Sequence, residues 1–158
     1  MAVYTYSRRL LPLRNRFLIT DQAGIPVFSV VRDLPVWSHH FAITDTRGVV
    51  VAETWRRSPP FPPIVEVSAG GQLIVTVRRL FGLPPRFALP ELDWEAQAAM
   101  GMRQVTIVDG SGLTQASISR RFTDMRLVWT LETSGSIPDV QVLAIALAIG
   151  SMHGRRRR

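Results

Sequence analysis

The feature that most constrains this chain is a stretch near its C-terminus, residues 136–154, that predicts one helix without a polar face. At about 100° per residue, the large apolar side chains fall on every side of this helix and alanines fill the gaps. These side chains are Val140, Val142, Leu143, Ile145, Leu147 and Ile149. A helix that is apolar all round must be surrounded, and the unbroken run of residues 142–149 is far shorter than the roughly 18 to 20 residues that span a bilayer. We therefore expect protein to surround this helix.

The ends of the helix are also marked in the sequence. Ser136 can cap the first turn, Asp139 three residues later can complete a capping box, and Pro138 stands where no N–H is needed. Glycine commonly ends helices, so Gly150 and Gly154 bracket the expected exit.

Length and composition indicate one folded domain with a basic tail. A chain of 158 residues predicts a single domain, and its 46% hydrophobic content excludes a disordered protein. The formal net charge is +7, and four of these charges belong to the tail, which is Arg155, Arg156, Arg157 and Arg158. All 19 basic residues are arginine, which suits bidentate contacts with anions and is also typical of GC-rich genomes. We expect one domain over residues 1–154, followed by the tail.

Two absences from the sequence bound the cellular setting. The chain has no cysteine, so disulfides and thiolate metal sites are excluded. Its first residues contain no apolar segment of signal-peptide length, so we expect a cytoplasmic protein.

The part of the chain before the helix carries the alternation and turn signals of an all-β fold. One unit occurs three times: an apolar strand runs into Asp-x-x-Gly and a second strand leaves, at Asp21, Asp45 and Asp109. This spacing predicts a hairpin in which the carboxylate accepts backbone N–H groups and the glycine takes a left-handed conformation. One carboxylate per loop is far short of a cation site, so we interpret these aspartates as turn formers.

Further strands are predicted around these hairpins, and the total approaches twelve. They are residues 3–8, 27–31, 49–55, 64–67, 73–79, 86–89, 94–100, 113–121 and 125–132. So many strands with a single hydrophobic helix favour a closed barrel, because closure removes the sheet edges and leaves an interior for the helix. The expected fold is mainly β, a closed twelve-stranded barrel around one buried apolar C-terminal helix.

The order of these elements resembles that of the LURP-one-related family over nearly the whole chain. The resemblance rests on Phe-x-Ile-x-Asp-x-x-Gly-x-Pro-x-Phe at residues 17–28, the hairpins at 45–48 and 107–112, Ile-Ser-Arg-Arg at 118–121, the strand at 125–130 and the closing apolar helix. That family is grouped with the tubby C-terminal domain and the phospholipid scramblases, which implies a tubby-like barrel around a central helix. The acidic stretch that precedes the helix in scramblases is reduced here to Asp139, which argues against calcium regulation.

The sequence offers little for catalysis. His39 and His40 are adjacent, and neighbours on a strand point to opposite faces, so they cannot ligate one metal together. Glu91 and Asp93 come nearest to an acid–base pair, and we interpret them as part of a surface turn. A nucleophile motif and a phosphate-binding glycine loop are absent from the sequence. We therefore expect no enzymatic activity, no cofactor and no metal.

Arginine doublets are the more suggestive feature. Four of them stand at the ends of predicted strands and could gather at the barrel rims: Arg8 and Arg9, Arg56 and Arg57, Arg78 and Arg79, and Arg120 and Arg121. Arg14, Arg16 and the tail could join them. Guanidinium groups bind phosphate bidentately, and the resemblance to tubby-like domains implies phosphoinositide binding. The leading hypothesis is a non-catalytic module that binds anionic phospholipid or phosphoinositide headgroups through these arginines and the tail. Such a protein would be peripheral to the inner membrane face.

Two alternatives stay open. Arginine doublets are also expected where strand ends are simply solvated in an arginine-rich chain. The first alternative is therefore a structural or protein-interaction domain without a lipid ligand, and the sequence does not indicate its protein partner. The resemblance also raises lipid scrambling, against which the short apolar run of the helix argues. Nucleic acid is disfavoured, because the sequence has no recognition helix and no strand that interleaves aromatic with basic residues. The four tryptophans, Trp37, Trp55, Trp94 and Trp129, are expected in core or half-core positions.

Overall fold

The structure, a computed structural model, describes residues 2–9, 16–32, 40–57, 63–123 and 126–153. Within these ranges it contains twelve β-strands, one α-helix and two short 3-10 turns. The strands are β1 Ala2–Arg9, β2 Arg16–Thr20, β3 Pro26–Arg32, β4 Phe41–Thr44, β5 Val50–Arg56, β6 Ile64–Ala69, β7 Gln72–Leu80, β8 Arg86–Leu89, β9 Trp94–Ala98, β10 Gln104–Asp109, β11 Thr114–Thr123 and β12 Arg126–Thr133, and the helix is α1 Asp139–His153. For Arg8, Arg9, Arg126 and His153 the backbone alone is described.

The strands form a closed antiparallel barrel in which each strand pairs with its neighbours in the sequence. Strands β1 and β12 close the seam, with Arg9 opposite Arg126 in their register. Alternate residues of a strand face the interior, as in β6, where Val65 and Val67 are buried and the other residues of the strand are not. The predicted mainly β, closed twelve-stranded barrel is confirmed.

Antiparallel order gives the barrel two different ends. Because consecutive strands run in opposite directions, all odd-numbered strands finish, and all even-numbered strands begin, at the same end of the barrel. We call this the arginine end, since Arg9 and Arg56 are the last residues of β1 and β5 there. The opposite end, called the hairpin end, holds the Asp-x-x-Gly hairpins at Asp21, Asp45 and Asp109.

The three Asp-x-x-Gly hairpins share one hydrogen-bond pattern. In each, Oδ1 of the aspartate accepts the backbone N–H groups two and four residues further on, at 2.9 and 3.0 Å respectively. The glycines Gly24, Gly48 and Gly112 have φ of 77°, 81° and 88°, and each donates its N–H to the carbonyl of the aspartate. The interpretation of these aspartates as turn formers is confirmed.

The helix α1 lies inside the barrel and is buried on every side. Residues 142–149 are all buried, and these eight consecutive positions cover more than two helical turns. The helix follows β12 at the hairpin end and runs back toward the arginine end. The expectation that protein surrounds this helix is confirmed. In the described part of the chain, no helix is long and apolar enough to cross a bilayer.

The start of α1 corrects one prediction. The helix begins at Asp139 rather than Ser136, and the predicted capping box is not formed. The Ser136 hydroxyl instead donates to Oε1 of Gln115 at 2.6 Å. The Asp139 carboxylate accepts from the Tyr4 hydroxyl at 2.6 Å and from Oγ1 of Thr133 at 2.8 Å. Strands β1 and β12 therefore hold the first turn, and the capping pair is used elsewhere.

The end of α1 agrees with the expectation. The helix continues through Gly150 and ends at His153, inside the bracket that Gly150 and Gly154 form in the sequence, and Gly154 itself lies outside the described residues. A methyl group built on Gly150 would lie 4.0 Å from the ring of Trp129, so the last turns of the helix pack against this tryptophan of β12.

Candidate anion-binding surface

All four arginine doublets lie at the arginine end. Arg8 and Arg9 finish β1, Arg56 finishes β5 and Arg57 follows it. Arg78 and Arg79 lie just before the last residue of β7, and Arg120 and Arg121 are among the last four residues of β11. These four strands are all odd-numbered, so the antiparallel barrel brings the doublets to the same end. The tail, Arg155 to Arg158, lies outside the described residues.

Five further arginines share this end of the barrel. They are Arg16 at the start of β2, Arg32 at the end of β3, Arg86 at the start of β8, Arg103 just before β10, and Arg126 at the start of β12. Among the described residues, the one arginine at the hairpin end is Arg47, in the turn between β4 and β5. Arg16 was expected there from the sequence, and the parity of the strands was the signal that could have found the other four, because even-numbered strands begin where odd-numbered ones finish.

Acidic side chains are concentrated at the opposite end. Those at the hairpin end are Asp21, Asp45, Glu91, Asp93, Asp109, Glu132 and Asp139. A strand of eight residues spans about 26 Å, which exceeds the Debye length of about 8 Å at physiological salt. The described chain therefore has a positive end and a negative end. The two ends are coupled where the strands are short, as in β8, where Arg86 at one end pairs with Glu95 of β9.

Two of the hairpin carboxylates are kept ionised by their own loops. The Ser111 hydroxyl donates to Asp109 at 2.6 Å and, with Gln115 and backbone N–H groups, lowers the pKa of Asp109 to about 2. The backbone N–H of Val49 lowers the pKa of Asp45. The hairpin end therefore stays negative at physiological pH.

Within a doublet the two arginines face opposite sides of the sheet, because neighbouring residues on a strand alternate. Arg79 is paired with the buried Phe87 and faces the interior, whereas Arg78 is exposed on the outer wall. Arg120 likewise follows the inward-facing residues of β11, and Arg121 is exposed. The arginine end thus has an inner set of guanidinium groups at the barrel mouth and an outer set around it.

Two of the inner arginines lie over aromatic rings. The guanidinium of Arg120 lies 5.4 Å from the ring centre of Trp129, and its Nη2 donates to the carbonyl of Gly101 at 2.7 Å. The guanidinium of Arg32 lies 5.7 Å from the ring centre of Phe41. A guanidinium has five N–H donors, and the hydrogen bond from Arg120 to Gly101 uses one of the five on Arg120.

Two outer arginines are paired with glutamates of the neighbouring strand. Arg57 forms an ion pair with Glu66, and Nε of Arg86 donates to Oε1 of Glu95 at 2.7 Å. Arg78 and Arg121 are both exposed on the outer wall, and neither forms an ion pair with a described residue.

The segment with Glu91 and Asp93 is a surface turn, as predicted. A 3-10 turn at Pro90–Leu92 connects β8 to β9, and Asp93 closes it in the left-handed region with φ of 54°. Glu91 accepts the backbone N–H of Thr76 at 2.9 Å and its hydroxyl at 2.7 Å. Burial opposes the ionisation of Glu91, but the bonds from Thr76, together with the charge of Arg78, lower the pKa of this carboxyl overall. The carboxylate therefore fastens the turn to β7.

His40 is buried and makes structural contacts. Its ring is stacked on that of Trp55 with 3.6 Å between centres, and its Nε2 lies 2.8 Å from Oε2 of Glu53. These contacts agree with the interpretation of this histidine as structural, while His39 lies outside the described residues. Across the described ranges, no group of three His, Cys, Asp or Glu side chains is placed to hold a metal ion.

The tryptophans correct one further prediction. Trp94 and Trp129 are half-buried as expected, and Trp37 lies outside the described residues. Trp55 is exposed rather than in the core, because it lies on the outer wall of β5, where it covers His40.

Comparison with known proteins bears on the fold and not on the family. No protein-family model and no curated protein matches this chain. Among solved structures, the chain is similar to an X-ray structure of a protein from Arabidopsis thaliana, with a TM-score of 0.61 and 18% sequence identity over 94% of this chain and 91% of that one. At this identity the likeness shows a shared fold.

Proposed function

We propose that this protein is a non-catalytic binding module, related to the LURP-one-related proteins, that recognises anionic phospholipid or phosphoinositide headgroups with its arginine end. The observation that carries the proposal is the placement of all four arginine doublets at one end of a closed barrel. The family relation is supported by the resemblance in element order together with the shared fold.

The charge at this end is sufficient for a measurable attachment to an anionic surface. Each basic residue near such a surface contributes about 1 kcal/mol. Contact of four to eight of the doublet arginines with the surface therefore contributes about 4 to 8 kcal/mol of binding free energy. This range corresponds to a Kd between about 1 mM and 1 μM. The attachment weakens as salt is added, because exposed charges are screened.

The arginines also have a role in the fold, which any test must separate from binding. The C-terminal end of α1 points toward the arginine end, and cations near a helix C-terminus stabilise the helix dipole. Arg120 packs on Trp129, which in turn contacts the last turns of α1. The exposed outer arginines Arg78 and Arg121 are therefore the better positions for testing binding.

Co-sedimentation with vesicles tests the proposal. The protein is mixed with phosphatidylcholine vesicles that contain or lack phosphatidylinositol phosphates, at low and at high salt. We expect binding to the anionic vesicles at low salt, and a loss of about fivefold in affinity for Arg121→Gln, since about 1 kcal/mol is removed. Arg47→Gln is the matched control, because it removes the same charge at the hairpin end and should change the affinity by less than twofold.

Two outcomes would contradict lipid recognition. One is a wild-type protein that does not bind anionic vesicles at low salt; the other is binding that Arg121→Gln and Arg47→Gln weaken equally. Either result favours the structural or protein-interaction alternative. A dye-flip assay in the same vesicles tests the scrambling alternative, for which the buried position of α1 leaves no lipid-facing helix in the described residues.

A further inference from the structure

Bulky apolar side chains project into solvent from the arginine end. Four of them are among the most exposed in the described chain: Phe81 is 83% exposed, Leu83 73%, Met100 69% and Phe122 62%. Phe81 and Leu83 lie between β7 and β8, Met100 lies between β9 and β10, and Phe122 is near the end of β11. Exposed large apolar groups that cluster in this way mark an interaction surface.

These four residues lie along one continuous arc of the rim. Strands β7, β8, β9, β10 and β11 are consecutive neighbours in the barrel, and the loops and strand end that carry the four residues are all at the arginine end. The backbone N–H of Ala98 donates to the carbonyl of Pro85 at 2.9 Å, which joins the two loops at their bases. We name Phe81, Leu83, Met100 and Phe122 the apolar edge.

The loops that carry the apolar edge are fastened to the barrel beneath it. Pro85 is buried at the end of the first loop. In the second loop Met102 is buried, and the carbonyl of Gly101 accepts the hydrogen bond from Arg120. Met100 is therefore turned outward while Met102, two residues later, is turned inward. Phe81, Leu83 and Met100 are therefore exposed on loops that buried residues anchor to the barrel.

The same arc carries a dense positive charge. Its arginines are Arg78, Arg79, Arg86, Arg103, Arg120 and Arg121. The glutamate Glu95, on β9, is paired with Arg86. A surface that presents guanidinium groups beside exposed phenylalanine, leucine and methionine is complementary to the headgroup region of an anionic bilayer, where phosphates lie above an apolar layer.

We infer that the apolar edge inserts into the interfacial layer of an anionic bilayer while the neighbouring arginines bind its phosphates. This inference rests on the proposed function and makes it more specific: the ligand is a membrane surface rather than a soluble inositol phosphate. Insertion adds a contribution that salt does not screen, since it comes from burial of apolar area.

The test compares two double variants on vesicles of phosphatidylcholine and phosphatidylserine. Phe81→Ser with Leu83→Ser removes half of the apolar edge. Ile25→Ser with Leu113→Ser is the matched control, because these residues are 59% and 66% exposed at the hairpin end. We expect at least tenfold weaker vesicle binding for the first pair, less than twofold change for the control, and unchanged affinity of both for a soluble inositol phosphate. Thermal unfolding of each variant establishes that it is folded.

A second measurement reports insertion directly. The chain has no cysteine, so Phe81→Cys or, as control, Leu113→Cys gives a single labelling site for a polarity-sensitive dye. For the label at position 81 alone, we expect the fluorescence emission to shift to the blue on anionic vesicles. We also expect lipids that carry a quencher near the headgroup to quench the emission of this label.

The outcomes separate the two proposals. If wild-type protein and the Phe81 and Leu83 variant bind vesicles equally, and Arg121→Gln weakens that binding, lipid recognition stands and insertion is overturned. If the labels at positions 81 and 113 respond alike on vesicles that bind the protein, insertion is likewise overturned. If wild-type protein binds no anionic vesicle at low salt, the proposed function itself fails.

Discussion

Leu143 and Ile145 of α1 offer a direct test of whether the barrel encloses the helix. They are two residues apart, so they point about 200° away from each other around the helix axis. Both are 0% exposed. A helix packed by one face has a side on which truncation costs little, whereas an enclosed helix has none.

The expected cost follows from what each truncation removes. Leu143→Ala and Ile145→Ala each delete three buried carbons, and such changes cost about 2 to 5 kcal/mol, the higher values where the surroundings cannot collapse into the cavity. A closed barrel around the helix has little freedom to collapse. We expect each variant to lose about 3 to 4 kcal/mol of its free energy of unfolding, with the two costs within about 1 kcal/mol of each other.

Urea unfolding followed by circular dichroism measures this loss. With an m value of about 2 kcal/mol/M, the expected midpoint shift is about 1.5 to 2 M, and m should be unchanged if unfolding stays two-state. Val140→Ala is the control on the same helix, because Val140 is half-buried in the first turn and should cost less than about 1.5 kcal/mol. A cost below about 1 kcal/mol at either Leu143 or Ile145, with the other near 3, would refute the enclosed helix.

Three further predictions concern the hairpin end. Burial and the bond to Asp139 raise the pKa of Tyr4 from 10.0 to about 12, so the stability that the neutral phenol contributes is present below pH 10 and is lost as the pH rises toward 12. In Tyr4→Phe, the free energy of unfolding measured with urea should therefore fall less over this alkaline range. The pKa of Asp109 is lowered from 3.8 to about 2, chiefly by the hydrogen bond from the Ser111 hydroxyl, so the stability that the ionised carboxylate contributes is present above pH 3.8 and is lost toward pH 2. In Asp109→Asn, the thermal unfolding temperature should therefore fall less between about pH 4 and pH 2 than it does in the wild type. A methyl group on Gly110 would lie 2.1 Å from Oδ2 of Asp93, so Gly110→Ala should cost about 1 to 2 kcal/mol in urea unfolding and much less when combined with Asp93→Ala.

The features predicted correctly from the sequence are those determined by neighbouring residues. Each Asp-x-x-Gly hairpin closes within five residues, and its hydrogen bonds join atoms whose spacing the sequence already states. The absence of a polar face on residues 142–149 required burial on every side, whatever surrounds them. Together with the number of predicted strands, these two observations favoured a closed barrel around a helix.

The errors concern partners that are distant in the sequence. Asp139 is bound by Tyr4, 135 positions away, and Ser136 by Gln115, so the local capping rule was outweighed by tertiary hydrogen bonds. Tryptophan is a residue type expected in or near the core, and the position of Trp55 on the outer wall depends on the register of β5 with its neighbours.

The candidate surface was predictable in part. With twelve antiparallel strands, the position of each doublet on an odd-numbered strand already determines that they share an end. The apolar edge was not predictable, because Phe81 and Leu83 follow a strand directly and have the character of core residues in the sequence. Their exposure depends on where Pro85 and Met102 anchor the two loops.

The seam between β1 and β12 has a consequence for synthesis of the protein. The first strand finds its second hydrogen-bonding partner only after residue 126 and those that follow have left the ribosome, and the interior is filled only when α1 has followed them. Until then the nascent polypeptide holds an unfilled apolar cavity and an unpaired edge, both of which promote aggregation. A nonsense mutation between β12 and α1 should therefore yield inclusion bodies or rapid proteolysis, even though all twelve strands have been translated.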